Sequence, residues 1–236
     1  MKKTILTISL IAISHFTSVM AATQEAVEET ESMHEVLKTK FIEGNPMFMS
    51  LVAIALIIGM TFCIERIIYL ALADINTKKF LLRIEELIKA GNKEGALDHC
   101  RNTRGPVASI CFQGLLHADD SAEDLDRTIA SYADVEVAKL EKGCSWITLF
   151  IALAPSLGFL GTVIGMVMSF DDIEMAGDIS PTIVAGGMKV ALITTIFGII
   201  VAVVLQIFYN YILSRIEHLT SQMEQASIEL MEILKK

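Results

Sequence analysis

Trp146-Ile-Thr-Leu-Phe-Ile-Ala-Leu-Ala-Pro155-Ser-Leu-Gly158-Phe-Leu-Gly161-Thr162-Val-Ile-Gly165-Met-Val-Met-Ser-Phe170 carries no charged side chain. It lies within 28 uncharged residues between Lys142 and Asp171. A helix needs about 20 apolar residues to cross roughly 30 Å of hydrocarbon. In lipid, a single segment can satisfy its backbone polar groups only as a helix. Two more runs fit the same description: 21 residues between Glu43 and Glu65, and 25 between Lys189 and Arg215. The remaining sequence is too short to wrap three such helices in a soluble core. The chain of 236 residues is 53% hydrophobic and 20% charged, against about 25% charged in soluble domains. This excludes a disordered chain and argues against a soluble enzyme. Lys and Arg number 19 against 28 Asp and Glu, a net charge of −9, the wrong sign for a nucleic-acid binder. Four Cys, at 63, 100, 111 and 144, make no disulfide scaffold.

The first 22 residues read differently. Met1-Lys2-Lys3 is basic, Ile5 to Ile13 is a short apolar core, and Val19-Met20-Ala21-Ala22 offers a small-residue cleavage site. This pattern predicts a secretory signal peptide. The alternative, an uncleaved fourth span, is weakened by Thr7, Ser9, Ser14, His15, Thr17 and Ser18. A cleaved signal places the mature N-terminus outside, and three spans then place the C-terminus inside. The charges agree. Asp171, Asp172, Glu174 and Asp178 crowd one loop, while Arg66, Lys78, Lys79, Arg83, Lys139, Lys142 and Arg215 flank the opposite ends, and basic flanks stay cytoplasmic. The expected layout is a periplasmic segment at 23–44, transmembrane helices at 45–70, 143–170 and 186–213, a cytoplasmic helical domain at 71–142, a periplasmic loop at 171–185 and a cytoplasmic helical tail at 214–236. The fold class is an all-α membrane protein with long cytoplasmic helical extensions.

The cytoplasmic segment reads as helices throughout. Phe80, Leu81, Ile84, Leu87 and Ile88 recur at helical spacing and stop at Ala90-Gly91-Asn92. Lys93 to Arg101 is a short helix, and Gly105-Pro106 suits a new start. Ser121 with Asp124 resembles a capping box. With no Gly or Pro between 115 and 142, one continuous helix is expected from about 122 to 170.

No phosphate loop, Gly-x-Ser-x-Gly or paired-His helix occurs. His99, Cys100, Cys111 and His117 are near in sequence, but their spacing matches no zinc pattern, and ordinary packing or surface roles are expected. The informative residues are small. Ala154, Gly158, Gly161 and Gly165 step at four, three and four, so they share one face. Gly187, Ala191, Thr194 or Thr195, Gly198 and Ala202 do the same in the last span. Such stripes let helix backbones approach closely in lipid, and Pro155 deprives its helix of one hydrogen bond. Thr162, Thr194 and Thr195 are the polar exceptions. Each alone is satisfied by a carbonyl one turn back, yet three on two small-residue faces point to a hydrated seam. No Asp, Glu or His lies mid-span, so a titrating group for ion movement must come from a partner chain.

At these residues the chain resembles the MotA/TolQ/ExbB proton channel family. Ala154-Pro-Ser-Leu-Gly-Phe-Leu-Gly-Thr-Val-Ile-Gly-Met166 looks like its signature, and Val190-Ala-Leu-Ile-Thr-Thr-Ile-Phe-Gly198 with Tyr209-Asn210 like its second block. A signal peptide before three spans is most like the ExbB branch. The resemblance covers about residues 45 to 215. It implies a homopentamer around the single transmembrane helices of an ExbD-like partner, whose membrane Asp carries the ion. It also implies rotation that works on a TonB-like protein for outer-membrane transport. The family's functional threonines fall on Thr162 and Thr195. No cofactor is implied beyond the transported ion. The family's usual Glu before the last-span Ala-Leu is Val190 here, and a later Pro is Val204. The doubled Thr194-Thr195 resembles sodium-driven stators: three hydroxyls and carbonyls near Pro155 would suit sodium, whereas a proton needs only a carboxylate and water. Sodium at Thr162, Thr194 and Thr195, or a proton path with Thr194 bonded to its own helix, both fit. TolQ-like envelope support and a non-conducting membrane scaffold are the functional alternatives.

Overall fold

A computed structural model describes residues 33–177 and 181–235, and among them every regular element is a helix. The signal-peptide residues 1–22, residues 23–32 of the 23–44 segment, residues 178–180 and residue 236 lie outside the described part. Helix α1 (Met33–Glu43) belongs to a unit of its own. The second unit, from Gly44 onward, contains α2 (Pro46–Ala73), α3 (Thr77–Lys89), α4 (Lys93–Asn102), α5 (Pro106–Leu116), α6 (Ala122–Glu141), α7 (Cys144–Ala176) and α8 (Pro181–Lys235). Three helical stretches are long and apolar enough to cross a membrane, and their apolar segments fall in α2, α7 and α8.

Local sequence sets the breaks. The Asn45 side chain accepts from the Met47 N–H at 3.2 Å, and Pro46 fills the first helical position of α2. Gly91, at φ +73°, ends α3: its N–H reaches the Ile88 carbonyl while the Asn92 N–H reaches the Leu87 carbonyl, both at 2.9 Å. Asn92 then caps α4 by accepting from the Gly95 N–H at 2.8 Å. Gly105-Pro106 opens α5 as its sequence predicts. Ser121 Oγ accepts from the Asp124 N–H, but the Asp124 carboxylate accepts from the Ser121 hydroxyl instead of completing the reciprocal backbone arm.

The continuous helix expected from 122 to 170 is interrupted. Lys142 and Gly143 separate α6 from α7, and Gly143 adopts φ +89°, a conformation that favours glycine. At its other end α7 continues past Phe170 to Ala176, so Asp171, Asp172 and Glu174 lie on helix. By contrast α8 runs unbroken from the last span into the helical tail expected there.

The core forms where helix faces meet. On α2 the buried face is Val52, Ala55, Gly59, Cys63, Arg66, Leu70 and Ala73, recurring at three- and four-residue steps. Phe62 stacks on Trp146 and Phe150 with ring centroids 6.0 and 6.5 Å apart. In the α8 tail Ile212, Ile216, Leu219, Met223, Ala226 and Leu230 are buried, an alternating four-three spacing that makes a coiled-coil-like seam. Helix α5 lies against it so closely that a Cβ on Gly114 would sit 2.5 Å from Leu230 Cδ2. Arg215 joins the tail to the end of α2 by an ion pair with Asp74 at 2.6 Å.

Candidate functional site: the α7–α8 seam

The two small-residue stripes read from the sequence meet. A Cβ on Gly198 would lie 2.6 Å from the Ala154 carbonyl oxygen and 3.3 Å from Pro155 Cα. One on Gly158 would lie 2.9 Å from the Thr194 carbonyl oxygen and 3.1 Å from Thr195 Cα. Gly165 faces Ala191, and Gly187 faces Ser169 and the Gly165 carbonyl. At Gly158 and Gly198 the facing atoms are backbone, so no larger residue fits there without separating the helices. Ala154, Gly158, Gly161, Gly165, Ala191 and Gly198 are all buried; Pro155 and Ala202 are half-buried. Helix α7 passes through Pro155 without interruption.

Thr162 and Thr195 project into this seam from opposite helices and their hydroxyls touch. Thr162 Oγ1 is also 3.0 Å from the Ala191 carbonyl oxygen and 3.3 Å from that of Gly158, while Thr195 Oγ1 is 3.2 Å from the Gly158 oxygen. Each hydroxyl supplies one proton and two lone pairs. The pair therefore bridges the helices and retains capacity to accept from a further donor.

Thr194 behaves differently. Its side chain is fully buried, its hydroxyl donates to the Ala191 carbonyl of its own helix at 2.8 Å, and its bulk fills the space left by Gly161. The structure brings Thr162 and Thr195 together but places Thr194 one step around the helix, in packing.

Residues 102–225 match the MotA/TolQ/ExbB proton channel family. The chain belongs to that family. It is ExbB-like: a biopolymer transport protein ExbB homolog of Methanothermobacter thermautotrophicus is 29% identical over 79% of this chain and 63% of its own length. A biopolymer transport protein ExbB-like 1 of Synechocystis is 32% identical over 56% of this chain and 51% of its own length. A biopolymer transport protein exbB1 of Vibrio cholerae is 31% identical over 34% of this chain. The chain thus spans between half and two thirds of the first two relatives' lengths. This is a transport and channel family and not an enzyme family, and its three long apolar helices make this chain a membrane protein.

Other polar groups were less visible in the sequence. Ser169 is buried, donates to the Gly165 carbonyl at 3.1 Å and extends the α7 stripe by one further turn; the same four-residue step points to it. Arg66 is buried beside Gly143, bonded to Glu65, with its guanidinium carbon 4.7 Å from the Tyr69 ring centroid. A charge at the end of a span gives no sign of burial in sequence. Among the residues weighed for zinc, His117 bonds Asp120 at 2.9 Å and His99 stacks on Phe80 at 5.1 Å. No cluster fit to hold a metal occurs among the described residues.

Proposed function

We propose that this chain is the channel and motor subunit of an ExbB-like inner-membrane complex. In this reading five copies surround the transmembrane helices of an ExbD-like partner. Protons descend their gradient through the partner's membrane Asp, and the motion drives a TonB-like protein. The observation that carries this reading is the Thr162–Thr195 hydroxyl pair, set on glycine faces in spans with no Asp, Glu or His at mid-span. Such a pair orders water or a partner carboxylate without holding charge itself, and the charge must then arrive on another chain. Broad apolar surfaces support assembly: Phe159, Val167 and Phe170 on α7, and Leu192, Ile196 and Ile207 on α8, are more than half exposed in the single chain. The mature N-terminus is periplasmic and the C-terminus cytoplasmic in this assignment.

Thr194 favours the proton over sodium. A sodium site needs several oxygens turned toward one point, and the Thr194 hydroxyl is committed to its own helix. The test is energised uptake by cells that carry this chain with an ExbD-like single-span protein, with Thr162→Val and Thr195→Val compared against the unaltered chain. Loss of uptake with assembly intact supports the channel. Unchanged uptake in both variants identifies a non-conducting scaffold.

A further inference from the structure

Two cavities away from the α7–α8 seam share a wall. One is an apolar groove of about 510 Å³ along α2, lined by Thr61, Ile64, Glu65, Ile68, Tyr69 and Leu72. The other, about 400 Å³, adjoins the same Tyr69 and Leu72 and is walled on its polar side by Arg104, Glu136 and Lys139. Ile64, Ile68 and Leu72 are 51, 55 and 64% exposed and step by four along one helix face. Glu65 is the first charge after 21 uncharged residues, so the groove straddles the level at which α2 leaves hydrocarbon. Tyr69, steadied by the Arg66 guanidinium, stands at the depth where amphipathic rings settle.

The charges select what enters. Glu65 is bonded to Arg66, and the charge of Lys142 also reaches it. Glu136 turns inward and accepts from Ser109 and from Lys139, each at 2.8 Å. Lys139 keeps further N–H donors after that bond, and Arg104 makes no ion pair among the described residues. Cationic donors thus mark one end of the composite cavity and exposed hydrocarbon the other. That is the pattern of a phospholipid with an anionic headgroup.

We propose that this composite groove binds an anionic phospholipid from the leaflet at the Glu65 end of α2. An acyl chain lies along Ile64, Ile68 and Leu72, and the phosphate sits beside Arg104 and Lys139. The proposal rests only on α2 being a membrane span; it is independent of the ion path. The test uses the purified full chain in nanodiscs, with retained lipid read by native mass spectrometry after extraction. Phosphatidylglycerol is expected to be retained over phosphatidylcholine. Arg104→Gln and Lys139→Gln, both exposed, should each weaken phosphatidylglycerol retention about fivefold, the factor expected for one basic residue at an anionic surface. Lys78→Gln, away from the groove, should leave it unchanged. Equal retention of the two lipids overturns the proposal, as does an unaffected Arg104→Gln, Lys139→Gln pair. Efficient Ile68→Cys cross-linking between copies also overturns it, because a neighbouring chain would then fill the groove.

Discussion

Thr162 and Thr195 join hydroxyl to hydroxyl across the α7–α8 seam, and both also lie within hydrogen-bonding distance of the Gly158 carbonyl oxygen. Valine matches threonine in shape and deletes only the polar atom. Thr162→Val or Thr195→Val is therefore expected to abolish energised transport. Each lost bond should cost roughly 0.6 kcal/mol of stability, the average for hydrogen bonds between membrane helices. Uptake assays paired with native mass spectrometry of the complex check both halves. Dissociation of the complex would make the pair a packing device.

The glycines separate close approach from mere presence. Gly198→Ala would drive a Cβ to 2.6 Å from the Ala154 carbonyl oxygen, a backbone atom that cannot rotate away, whereas Gly186→Ala meets nothing within 4 Å. The first substitution should cost about 1–3 kcal/mol by overpacking. The second should be nearly neutral, although it lies one residue from the striped face. Thermal melts of the two variants in one detergent decide the point.

This contrast also marks what the sequence could reveal. Helical periodicity carries the identity of a face, so Gly158, Gly161, Gly165, Ala191 and Gly198 were legible as contact residues before their partner helix was known. The threonines on those faces were legible for the same reason. Which of Thr194 and Thr195 turns to the seam was not, because the two lie about 100° apart and the decision rests on the crossing of two helices. The break at Lys142-Gly143 was not legible, because a lone glycine ends a helix only where it takes a positive φ, as Gly143 does. The burial of Arg66 depends on α2 packing beside that break, a contact between residues far apart in sequence.

Helices α4 and α5 hold two thiols out of reach. Burial pushes the Cys100 thiol up to about 12 and that of Cys111 still higher. Both should resist maleimide at pH 7.5 in the folded chain and react once it is unfolded. The unfolded thiols ionise first, near their ordinary value of 9.0. The stability held by the neutral buried thiols is thus complete below pH 9 and declines as pH climbs toward 12. Thermal melts from pH 8 to 11 should show Tm falling above pH 9. Rapid labelling of the native chain would contradict the burial.

Asp74 and Arg215 link the end of α2 to the α8 tail, with 28 and 30% of their side chains exposed. At that exposure, water screens the pair. A double-mutant cycle of Asp74→Asn and Arg215→Gln should return a coupling of about 0.5–1 kcal/mol, and added salt should reduce it. A coupling near zero would leave the tail held by its apolar seam alone.

The coupling ion turns on Thr194. Its hydroxyl lies 2.8 Å from the Ala191 carbonyl oxygen of the same helix, and its side chain is sealed against Gly161. A sodium ion would have to reach that oxygen, which requires opening the contact between the Thr194 side chain and Gly161. A proton does not. Thr194→Val keeps the shape that fills the glycine gap, so transport should persist where Thr195→Val abolishes it. Replacing sodium by choline at a fixed proton gradient should leave uptake by the unaltered complex unchanged. Uptake that collapses without sodium, together with loss of the sodium requirement in Thr194→Val, would return Thr194 to the ion path and overturn the proton assignment.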